Sequence, residues 1–589
     1  MKRFVGQVGE FCSGRMWGRP QPEFHHSRQV LYRGYIANRE HVLRELRQHI
    51  VVEDETQDGA LFAGAHQLWG HLLNKHVLGE YALAVFMLET QTLLLTRDGL
   101  GIQPIYYSNY EKGISFASHM EELLRVVEMG HLDEGYLGEY LLFDRHSFGR
   151  TPFHNISKLI PGRSIISEGG QSREIPTWEL SQTKPLRYAH DRDYEEQFRE
   201  LLFTGVRQSL PADGKVWAEL SGGLDSSSIV SAAKTAGVHQ LETFSFVYSR
   251  HREADESRWI RSVVKKHGYP AHELDGDQCP PFSELPPDFY GEPNLVISNT
   301  ESWREYQAIA VKHGVDVVLS GNGGDHVMIG DSPEPVHLAD DLLQLELRRL
   351  WLNLRMWQNN DLYRRPLRYL FKNFVLRPAL QYRRGQPVTP RITIPPPPWM
   401  EKRFLRTFST LVDRQRVLPG RGRSPSDQYF LERVWDFSLL TSTNAHQAVQ
   451  SFEYRYPLLY RPLVEFLYAI PWEQKLSWQS DRYLQRRALR SILPKRVYLR
   501  TSKAGLGQPV MEGFRRSKEW FEMLAKPSRL VEMGLVDQNR WHDTVARARV
   551  GHLRMISSFL NAVILEWWLR SLDVRPRVEF NLQSGMHYE

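Results

Sequence analysis

The stretch Val216-Trp-Ala-Glu-Leu-Ser-Gly-Gly-Leu-Asp-Ser-Ser-Ser228 decides the fold of most of this chain. Its first part, Val216 to Leu220, is apolar and predicts a short buried strand, and a helical pattern from Ile229 to Ala236 follows. The glycines between them lack Cβ atoms, so successive backbone N–H groups can converge on an anion. The start of the following helix adds its positive end. The stretch therefore predicts a phosphate-binding turn between a strand and a helix.

The side chains of this turn also suit phosphate chemistry. Ser221, Ser226 and Ser227 offer hydroxyl donors, and Asp225 is placed to hold a divalent cation against bound phosphates. The turn is not a Walker A loop, because it lacks the Gly-Lys-Ser/Thr ending. The plain alternative is a Gly- and Ser-rich turn in an ordinary α/β domain.

The turn resembles the pyrophosphate-binding loop of the ATP pyrophosphatases, enzymes that split ATP into AMP and pyrophosphate while they activate a carboxylate. The resemblance implies ATP and Mg²⁺ as ligands, with Asp225 as a metal ligand. It assigns contacts with ATP to the whole turn: Ser221, Gly222, Gly223, Leu224, Asp225, Ser226 and Ser227.

Length and composition are those of a large globular protein. At 589 residues the chain is too long for one core, so two or more domains are expected. No apolar run approaches the roughly 20 residues of a membrane helix, and the first residues lack the apolar core of a signal peptide. Only two cysteines occur, Cys12 and Cys279, which excludes a disulfide framework. We expect a cytoplasmic protein without a membrane partner, whose net charge of +6 allows an acidic partner.

Residues 1–185 combine strand patterns, short helices and Gly/Pro turns, which predicts a sandwich of β-sheets. Tyr81–Leu88, Thr92–Thr96 and Ile114–Ser118 are strand candidates. Together, "Gly-Glu-Tyr-Ala-Leu-Ala-Val-Phe", "Arg-Asp-Gly-Leu-Gly-Ile-Gln-Pro-Ile-Tyr-Tyr" and "Phe-Ala-Ser-His" resemble the N-terminal glutaminase-type (Ntn-type) domain of asparagine synthetases.

In that family a cysteine just after the initiator methionine attacks glutamine, and its freed α-amine helps as base. Lys2 stands at that position here, and Cys12 is internal. We therefore expect a degenerate domain that releases no ammonia and serves as a scaffold or a docking surface. For Cys12, a buried small residue, an incidental surface thiol and a mistaken start remain open.

A polar stretch from about residue 178 to 192 predicts a linker, and residues 190–575 form the second predicted domain. Beyond the first turn, Leu241–Tyr248, His272–Asp275 and Val315–Ser320 are strand candidates separated by helical patterns. This alternation predicts an α/β fold with a parallel sheet, whose ligands bind beyond the C-terminal ends of the strands. The resemblance implies the adenine nucleotide α-hydrolase-like version of this sheet, with a helical C-terminal part from Gln428 to about Leu572.

A second glycine turn, Ser320-Gly321-Asn322-Gly323-Gly324-Asp325-His326, follows the last of these strands. Asp225 and Asp325 come from neighbouring strand ends and could share one or two Mg²⁺ ions on ATP. Ser320 and Gly321 then join the predicted ATP site. The alternative is a glycine turn in which the Asp caps a helix.

The segment Phe452-Glu453-Tyr-Arg455-Tyr-Pro457-Leu-Leu459-Tyr460 resembles the family segment Glu-x-Arg-x-Pro-Phe-Leu-Asp, with Tyr460 in place of the final Asp. Glu453 is a candidate catalytic residue that could orient a base or the attacking amine. A buried ion pair between Glu453 and Arg455 is the alternative.

The later segment Arg500-Thr-Ser-Lys503 resembles the family's Arg-x-Lys element, in which the lysine reaches the ATP phosphates and the developing charge. A lysine suits that task as a mobile point charge. We count Arg500 and Lys503 as candidate catalytic residues, with a merely solvent-exposed Lys503 as the alternative.

A divergent basic and aromatic region spans about residues 331–425. Between Arg348 and Gln386, nine Arg and one Lys accompany a single acid, Asp361, and aromatic residues are interleaved: Trp351, Trp357, Tyr363, Tyr369, Phe371, Phe374 and Tyr382. We favour a solvated helical face over aromatic core residues, ahead of a peptide-docking surface, and expect no nucleic-acid partner. The prolines at 395–398 predict a stiff connector.

Asparagine synthetases carry a glutamate where Asn322 stands and another acid where His326 stands, which indicates a different acceptor here. The resemblance implies that a substrate carboxylate attacks the α-phosphate of ATP, giving an acyl-adenylate and pyrophosphate. Among the relatives, the pattern is similar to the ring-forming members, the lasso-peptide macrolactam synthetases and the β-lactam synthetases. We predict a lasso-peptide cyclase, which joins an Asp or Glu side chain of a core peptide to its N-terminal amine.

Other functions stay open. A β-lactam synthetase or an ammonia-dependent amidotransferase would use the same site. A non-catalytic scaffold is disfavoured because the phosphate-binding residues are present, and a tRNA thiolase because reactive cysteines are scarce. The resemblance implies a precursor core peptide as substrate, with a leader peptidase and a leader-recognition protein as partners.

Overall fold

The computed structural model describes residues 3–9, 12–19, 23–25, 27–50, 57–111, 113–142, 149–287, 289–330, 334–359, 366–388, 396–413, 420–442, 452–553 and 555–573. Side chains are described from residue 27 onward, except those of 409–413 and 439–442. Two antiparallel sheets form in the first part of the chain and one parallel sheet in the second.

The antiparallel sheets pack face to face. Their strands are β1 (Arg3–Gly9), β2 (Cys12–Arg19), β3 (Glu23–His25), β4 (Arg28–Ile36), β5 (Gly79–Met87), β6 (Thr92–Arg97), β7 (Tyr106–Tyr110), β8 (Gly113–Ala117), β9 (Ser157–Lys158), β10 (Arg163–Glu168) and β11 (Gln171–Pro176). The orders are β2-β1-β8-β7-β9 and β11-β10-β6-β5-β4-β3. Alternate residues such as Leu95, Phe116 and Ile165 fill one apolar layer. The predicted sandwich is confirmed.

Short helices cover the sandwich: α1 (Arg39–His49), α2 (Asp58–Trp69), α3 (Met120–Leu123) and α4 (Glu134–Leu142). Val42 and Phe62 of α1 and α2 pack on the outer face of the second sheet. Cys12 is the first residue of β2 and pairs with Gly9, but its side chain lies outside the described part.

The parallel sheet contains β12 (Lys215–Glu219), β13 (Leu241–Val247), β14 (Ala271–Asp275), β15 (Val315–Leu319) and β16 (Glu453–Arg455), in the order β14-β13-β12-β15-β16. The helices α5 (Asp191–Gln208), α6 (Leu224–Thr235), α7 (Ser257–His267) and α8 (Thr300–Lys312) alternate with the first four strands. The predicted parallel sheet and α/β class are therefore confirmed.

Two details of the sequence interpretation were wrong. The helix after the first turn begins at Leu224 rather than Ile229, because serines have low helix propensity and concealed its start. The stretch from Gln428 onward is not wholly helical, since Glu453–Arg455 forms β16 and extends the sheet beside Val317–Leu319. At the start of the predicted linker, the Trp178 indole donates a hydrogen bond to Glu465 of the second predicted domain over 3.0 Å.

The remaining described structure is mostly helical, and its helices contribute to two hydrophobic cores. The helices are α9 (Gly324–Val327), α10 (His337–Leu343), α11 (Leu347–Gln358), α12 (Leu367–Leu370), a π-helical turn (Phe371–Leu376), α13 (Arg377–Arg383), α14 (Lys402–Asp413), α15 (Pro425–Ser442), α16 (Arg461–Ala469), α17 (Trp472–Lys475), α18 (Tyr483–Leu489), α19 (Lys495–Tyr498), α20 (Gly507–Arg516), α21 (Lys518–Leu524), α22 (Arg529–Glu532), α23 (Gln538–Arg549) and α24 (Ile556–Ser571). Within the described residues, no helix is apolar enough over a sufficient length to cross a membrane.

The basic and aromatic region forms a helical layer from α10 to α13. Trp357 and Phe374 are buried in the core of the second domain, as the favoured interpretation predicts. Trp351 is instead 49% exposed and Phe371 39%, so that interpretation is wrong for these two residues. Asp361, Tyr363 and Pro395 lie outside the described residues.

Candidate active site

The first loop, Ser221–Gly223, leaves the C-terminal end of β12 and leads into α6. Gly222 has φ +70°, and a Cβ there would lie 2.7 Å from the Cβ of Trp259, so only glycine fits. Gly223 is the N-cap of α6 and provides no side-chain acceptor for the first N–H groups of the helix. Such a helix start attracts anions, because its N–H groups and its dipole point outward.

Two of the three loop hydroxyls adjoin each other. Ser221 Oγ lies 3.1 Å from Ser226 Oγ, which also accepts a hydrogen bond from the Ser221 amide over 3.2 Å. Ser221 is exposed, whereas Ser227 is fully buried behind the loop. Ser226 is also buried, with 7% of its surface exposed, so Ser221 has the exposed hydroxyl of the loop.

The second loop leaves the neighbouring strand, β15, at the same edge. Its Ser320 is buried, and the hydroxyl donates to Glu219 over 2.7 Å, while the Tyr454 hydroxyl donates to the other oxygen of Glu219 over 2.7 Å. Burial raises the pKa of Glu219 above its usual value, although these two hydrogen bonds partly offset the increase. Glu219 therefore ties the two loops together. Sequence reasoning did not single out Glu219. A carboxylate inside a buried strand, two positions before Ser221, was the feature that could have marked it.

The two loops are in direct contact. A Cβ on Gly321 would lie 2.7 Å from the amide nitrogen of Ser226, and one on Gly324 would lie 2.6 Å from Cγ of Asp225. Glycine is required at both positions because another backbone or side chain passes there. The second turn thus brings Asp325 next to the first.

The predicted metal ligands Asp225 and Asp325 both contact the side chain of Arg482. The Arg482 guanidinium lies 3.2 Å from Asp225 Oδ2 and also contacts Asp325. Gln485 Nε2 donates to Asp225 Oδ1 over 3.1 Å, and Lys503 Nζ lies 2.5 Å from Asp325 Oδ2. Burial lowers the pKa of Arg482, and Asp225 raises it.

This arrangement fits a divalent cation. Two carboxylates from different strand ends converge where the structure holds a guanidinium, and carboxylate oxygens are the ligands that Mg²⁺ prefers. Asp225 and Asp325 would hold the ion, which would neutralise phosphate charge. Sequence reasoning missed Arg482 and Gln485, because no motif marks them and they lie 257 and 260 residues after Asp225.

The late Arg-x-x-Lys segment approaches the first loop with two different cations. Lys503 has a side chain 58% exposed, and its amine reaches Asp325. Arg500 is buried, donates to the Gly222 carbonyl over 3.0 Å, pairs with Glu256 and lies 3.9 Å from the ring centre of Trp259. Arg500 therefore supports the loop backbone, whereas Lys503 stands at the open side.

Glu453 is not brought to the loops. It pairs in register with Val317 on β15, about 10 Å of strand before Ser320. Its carboxylate lies 3.3 Å from Nε of Arg455, so the structure contains the ion pair that was the alternative. Arg455 in turn lies 3.8 Å from the ring centre of Tyr35 in the first domain.

A cavity of about 610 Å³ opens beside the first loop. It is lined by the end of β13 at Val247–Ser249, the start of α7 near Trp259, and the segment Arg500–Ala504. Ligand sites typically measure about 300–1,000 Å³. Of these lining residues, Trp259 lies against Gly222 of the first loop and Lys503 contacts Asp325 of the second, so the cavity adjoins both loops.

A model of the asparagine synthase family matches residues 197–570, more than half of the chain. The chain belongs to the asparagine synthase family. A model of a glutamine amidotransferase domain matches residues 19–178 of this family member. The membership confirms the predicted class of enzyme, an ATP-dependent carbon–nitrogen ligase that forms AMP, and the predicted pairing of a glutamine amidotransferase-like domain with a parallel-sheet synthetase domain.

Two asparagine synthetases of Bacillus subtilis, both named as glutamine-hydrolysing, are similar to this family member. Asparagine synthetase 3 is 23% identical, and the match covers 80% of this chain and 74% of that protein. Asparagine synthetase 1 is 22% identical, with 85% and 79% covered. Among solved structures, a glutamine phosphoribosylpyrophosphate amidotransferase of B. subtilis with ADP and GMP overlaps with a TM-score of 0.22 at 12% identity, over 54% of this chain and 84% of that one.

Proposed function

We propose that this family member is a lasso-peptide cyclase. It adenylates the side-chain carboxylate of an Asp or Glu in a linear core peptide and joins that carbon to the N-terminal amine of the same peptide. The observation that carries the proposal is the pair of touching glycine loops, which collect Asp225, Asp325 and Lys503 beside an exposed Asn322.

The chemistry takes two steps. A carboxylate oxygen of the peptide attacks the α-phosphorus of ATP, the bond to the β-phosphate oxygen breaks, and pyrophosphate leaves. The N-terminal amine then attacks the acyl carbon, the bond to AMP breaks, and the amine gives up a proton. The product is lighter than the linear peptide by one water.

Each part of the site has a task in this scheme. The open start of α6 with Ser221 and Ser226 binds the departing pyrophosphate. Asp225 and Asp325 hold Mg²⁺, and Lys503 adds a mobile positive charge where negative charge develops. Arg500 holds the Gly222 carbonyl and so keeps the loop in shape.

A peptide acceptor is supported by two features. The second loop exposes Asn322 where asparagine synthetases have a glutamate, which favours a different acceptor. The helical layer also exposes apolar side chains of α11, namely Leu347, Trp351 and Leu352, next to Arg348 and Arg355. Such a surface suits a polypeptide rather than a free amino acid.

The test uses the purified protein with Mg-ATP and a panel of linear peptides, each with a free N-terminal amine and one internal Asp or Glu. Mass spectrometry should show AMP and a peptide lighter by one water. A heavy-oxygen label in the peptide carboxylate should appear in AMP, because that oxygen bonds to phosphorus. The proposal fails if no peptide gives either product.

An ammonia-dependent, asparagine synthetase-like amidotransferase is the second candidate, because the similar proteins are named asparagine synthetases. Free ammonia with Asp should then give AMP and an amide, while peptides give nothing. A small β-amino acid that yields a β-lactam would indicate a β-lactam synthetase instead. The three substrate classes therefore separate the three reactions on one enzyme preparation.

The proposed reaction also implies two protein partners. The amine must be the first residue of the peptide, so a leader peptidase has to expose it, and a leader-recognition protein delivers the precursor. Cyclisation of an unprocessed precursor should therefore require both proteins, whereas a peptide with a free amine should need neither.

A further inference from the structure

The edge of the parallel sheet opposite the two loops carries a second cluster of polar side chains. Glu242 is the second residue of β13, His272 the second residue of β14, and His313 the C-cap of α8. One oxygen or nitrogen atom of each lies within 4.8 Å of the others. All three stand where strands begin, so the cluster is separate from the phosphate loops.

The sheet register explains why these side chains meet. Glu242 pairs with Trp217 on β12, and His272 pairs with Phe244, two residues after Glu242. Residues two apart on a strand share a face, so these side chains lie on one side of the sheet. The helix α8 covers that side, and the ring centre of its C-cap, His313, lies 4.4 Å from that of His272.

The donors are held and aimed at one another. His272 Nε2 lies 2.7 Å from Glu242 Oε2, and the Trp217 indole donates to the same oxygen over 3.0 Å. The His272 ring also stacks on Trp217, with centres 4.7 Å apart. In metal sites, residues that do not bind the metal often hydrogen-bond to the ligands and so fix their orientation.

We propose that Glu242, His272 and His313 form a binding site for a transition-metal dication of the zinc class. Two imidazoles and one carboxylate are a donor set that suits zinc and neighbouring metals and suits Mg²⁺ poorly. The metal would take the place of the direct contact between His272 and Glu242. The site is independent of the proposed cyclase activity, and nothing in that chemistry uses it.

Lys215 competes with a bound metal for the carboxylate of Glu242. Its ammonium lies 2.9 Å from Glu242 Oε1 and neutralises the carboxylate. A dication must share Glu242 with this charge, which weakens binding. Removing the lysine charge should therefore strengthen metal binding, a change of opposite sign to the loss of a ligand.

The experiment titrates Zn²⁺ into the metal-free full chain by calorimetry, with excess Mg²⁺ present to occupy the hard oxygen ligands of the other edge. We expect one zinc per chain. His313→Ala and His272→Gln should each weaken binding by about 10- to 100-fold or more, since even an outer partner is worth that much. Lys215→Met should tighten it. His154→Ala, a 62% exposed histidine of the first domain, is the matched control and should leave the affinity unchanged.

Cobalt gives an independent readout of geometry. Co²⁺ in a site with two imidazoles should show the intense visible bands of a four-coordinate ion, and zinc should abolish them. Melting curves without metal check that each variant folds. Absence of stoichiometric zinc binding, affinity equal to that of the parent in either histidine variant, or weaker binding by Lys215→Met would each overturn the proposal.

Discussion

The two glycine loops and the helical layer of α10 to α13 are built in opposite ways. In the loops, close approach fixes the residues: Gly222, Gly321 and Gly324 each stand where a Cβ would collide with a neighbour. In the layer, α11 buries Leu350 and Leu354 but leaves Trp351 and Leu352 about half exposed. A helix that is apolar on both sides is normally covered on both. The loops thus hold the polar residues of the candidate site in fixed positions, and the layer offers an exposed apolar surface.

The largest expected effect tests the loops. Asp225→Ala removes one of the two proposed metal ligands and should lower peptide-dependent ATP–pyrophosphate exchange by about a thousandfold or more, because metal stabilisation of the phosphates amounts to several kcal/mol. The fold should survive, since Arg482 keeps its contact with Asp325. Exchange of radioactive pyrophosphate into ATP is the measurement.

The control for Asp225 lies on the same sheet at the opposite edge. Asp316 accepts a hydrogen bond from the Lys215 amide over 2.8 Å and faces no phosphate loop. Asp316→Asn should leave exchange within about twofold, as is usual for substitutions away from a functional site. Normal exchange by Asp225→Ala would contradict the metal role and remove the contrast between loops and layer.

The loops could be predicted because their physics is local. Strands of a buried parallel sheet are rich in apolar and aromatic residues, so the prediction of a strand at Leu241–Tyr248 matched β13 to within one residue. The strand β16 could not be found in this way, since it has only three residues, two of them charged, and pairing with β15 alone defines it. The position of Glu453 along the sheet also follows from this register, which the sequence motif does not show.

The sequence also could not identify the site residues that come from distant parts of the chain. Arg482 and Gln485 reach Asp225 only after the chain has passed through the whole helical layer, and neither belongs to a motif. For α11, the sequence pattern showed apolar and basic residues on all sides but not which side the core would take. The structure assigns Leu350, Leu354 and Trp357 to the core and leaves the rest to solvent.

The second prediction concerns Lys503 at the open side of the loops. Lys503→Ala should lower turnover by about 100- to 1,000-fold, the usual loss when one preorganised electrostatic group is removed from a transition state. Because its side chain is 58% exposed, the melting temperature should stay close to that of the parent. Steady-state AMP release gives the rate.

A second lysine serves as the control, because it tests whether losing any surface positive charge lowers turnover. Lys518 is 87% exposed, and its amine lies 3.5 Å from Glu522 in a surface ion pair. Lys518→Ala should leave AMP release unchanged. Equal rates for the two alanine variants would mean that Lys503 is merely solvent-exposed, as the plain alternative has it.

The smallest expected effect tests the layer and sharpens the comparison most. The double change Trp351→Glu with Leu352→Glu places two negative charges on the exposed face of α11, beside Arg348 and Arg355. Neither side chain is part of the core, so folding should be preserved. If the peptide docks there, its KM should rise about 10- to 30-fold, the loss typical of a buried aromatic anchor, while the affinity for ATP stays the same. Val550→Glu, which alters another exposed apolar residue at the end of α23, should change neither value. A parent-like KM in the double variant would confine specificity to the loops and the cavity beside them, and the layer would then need another partner to explain its exposed apolar face.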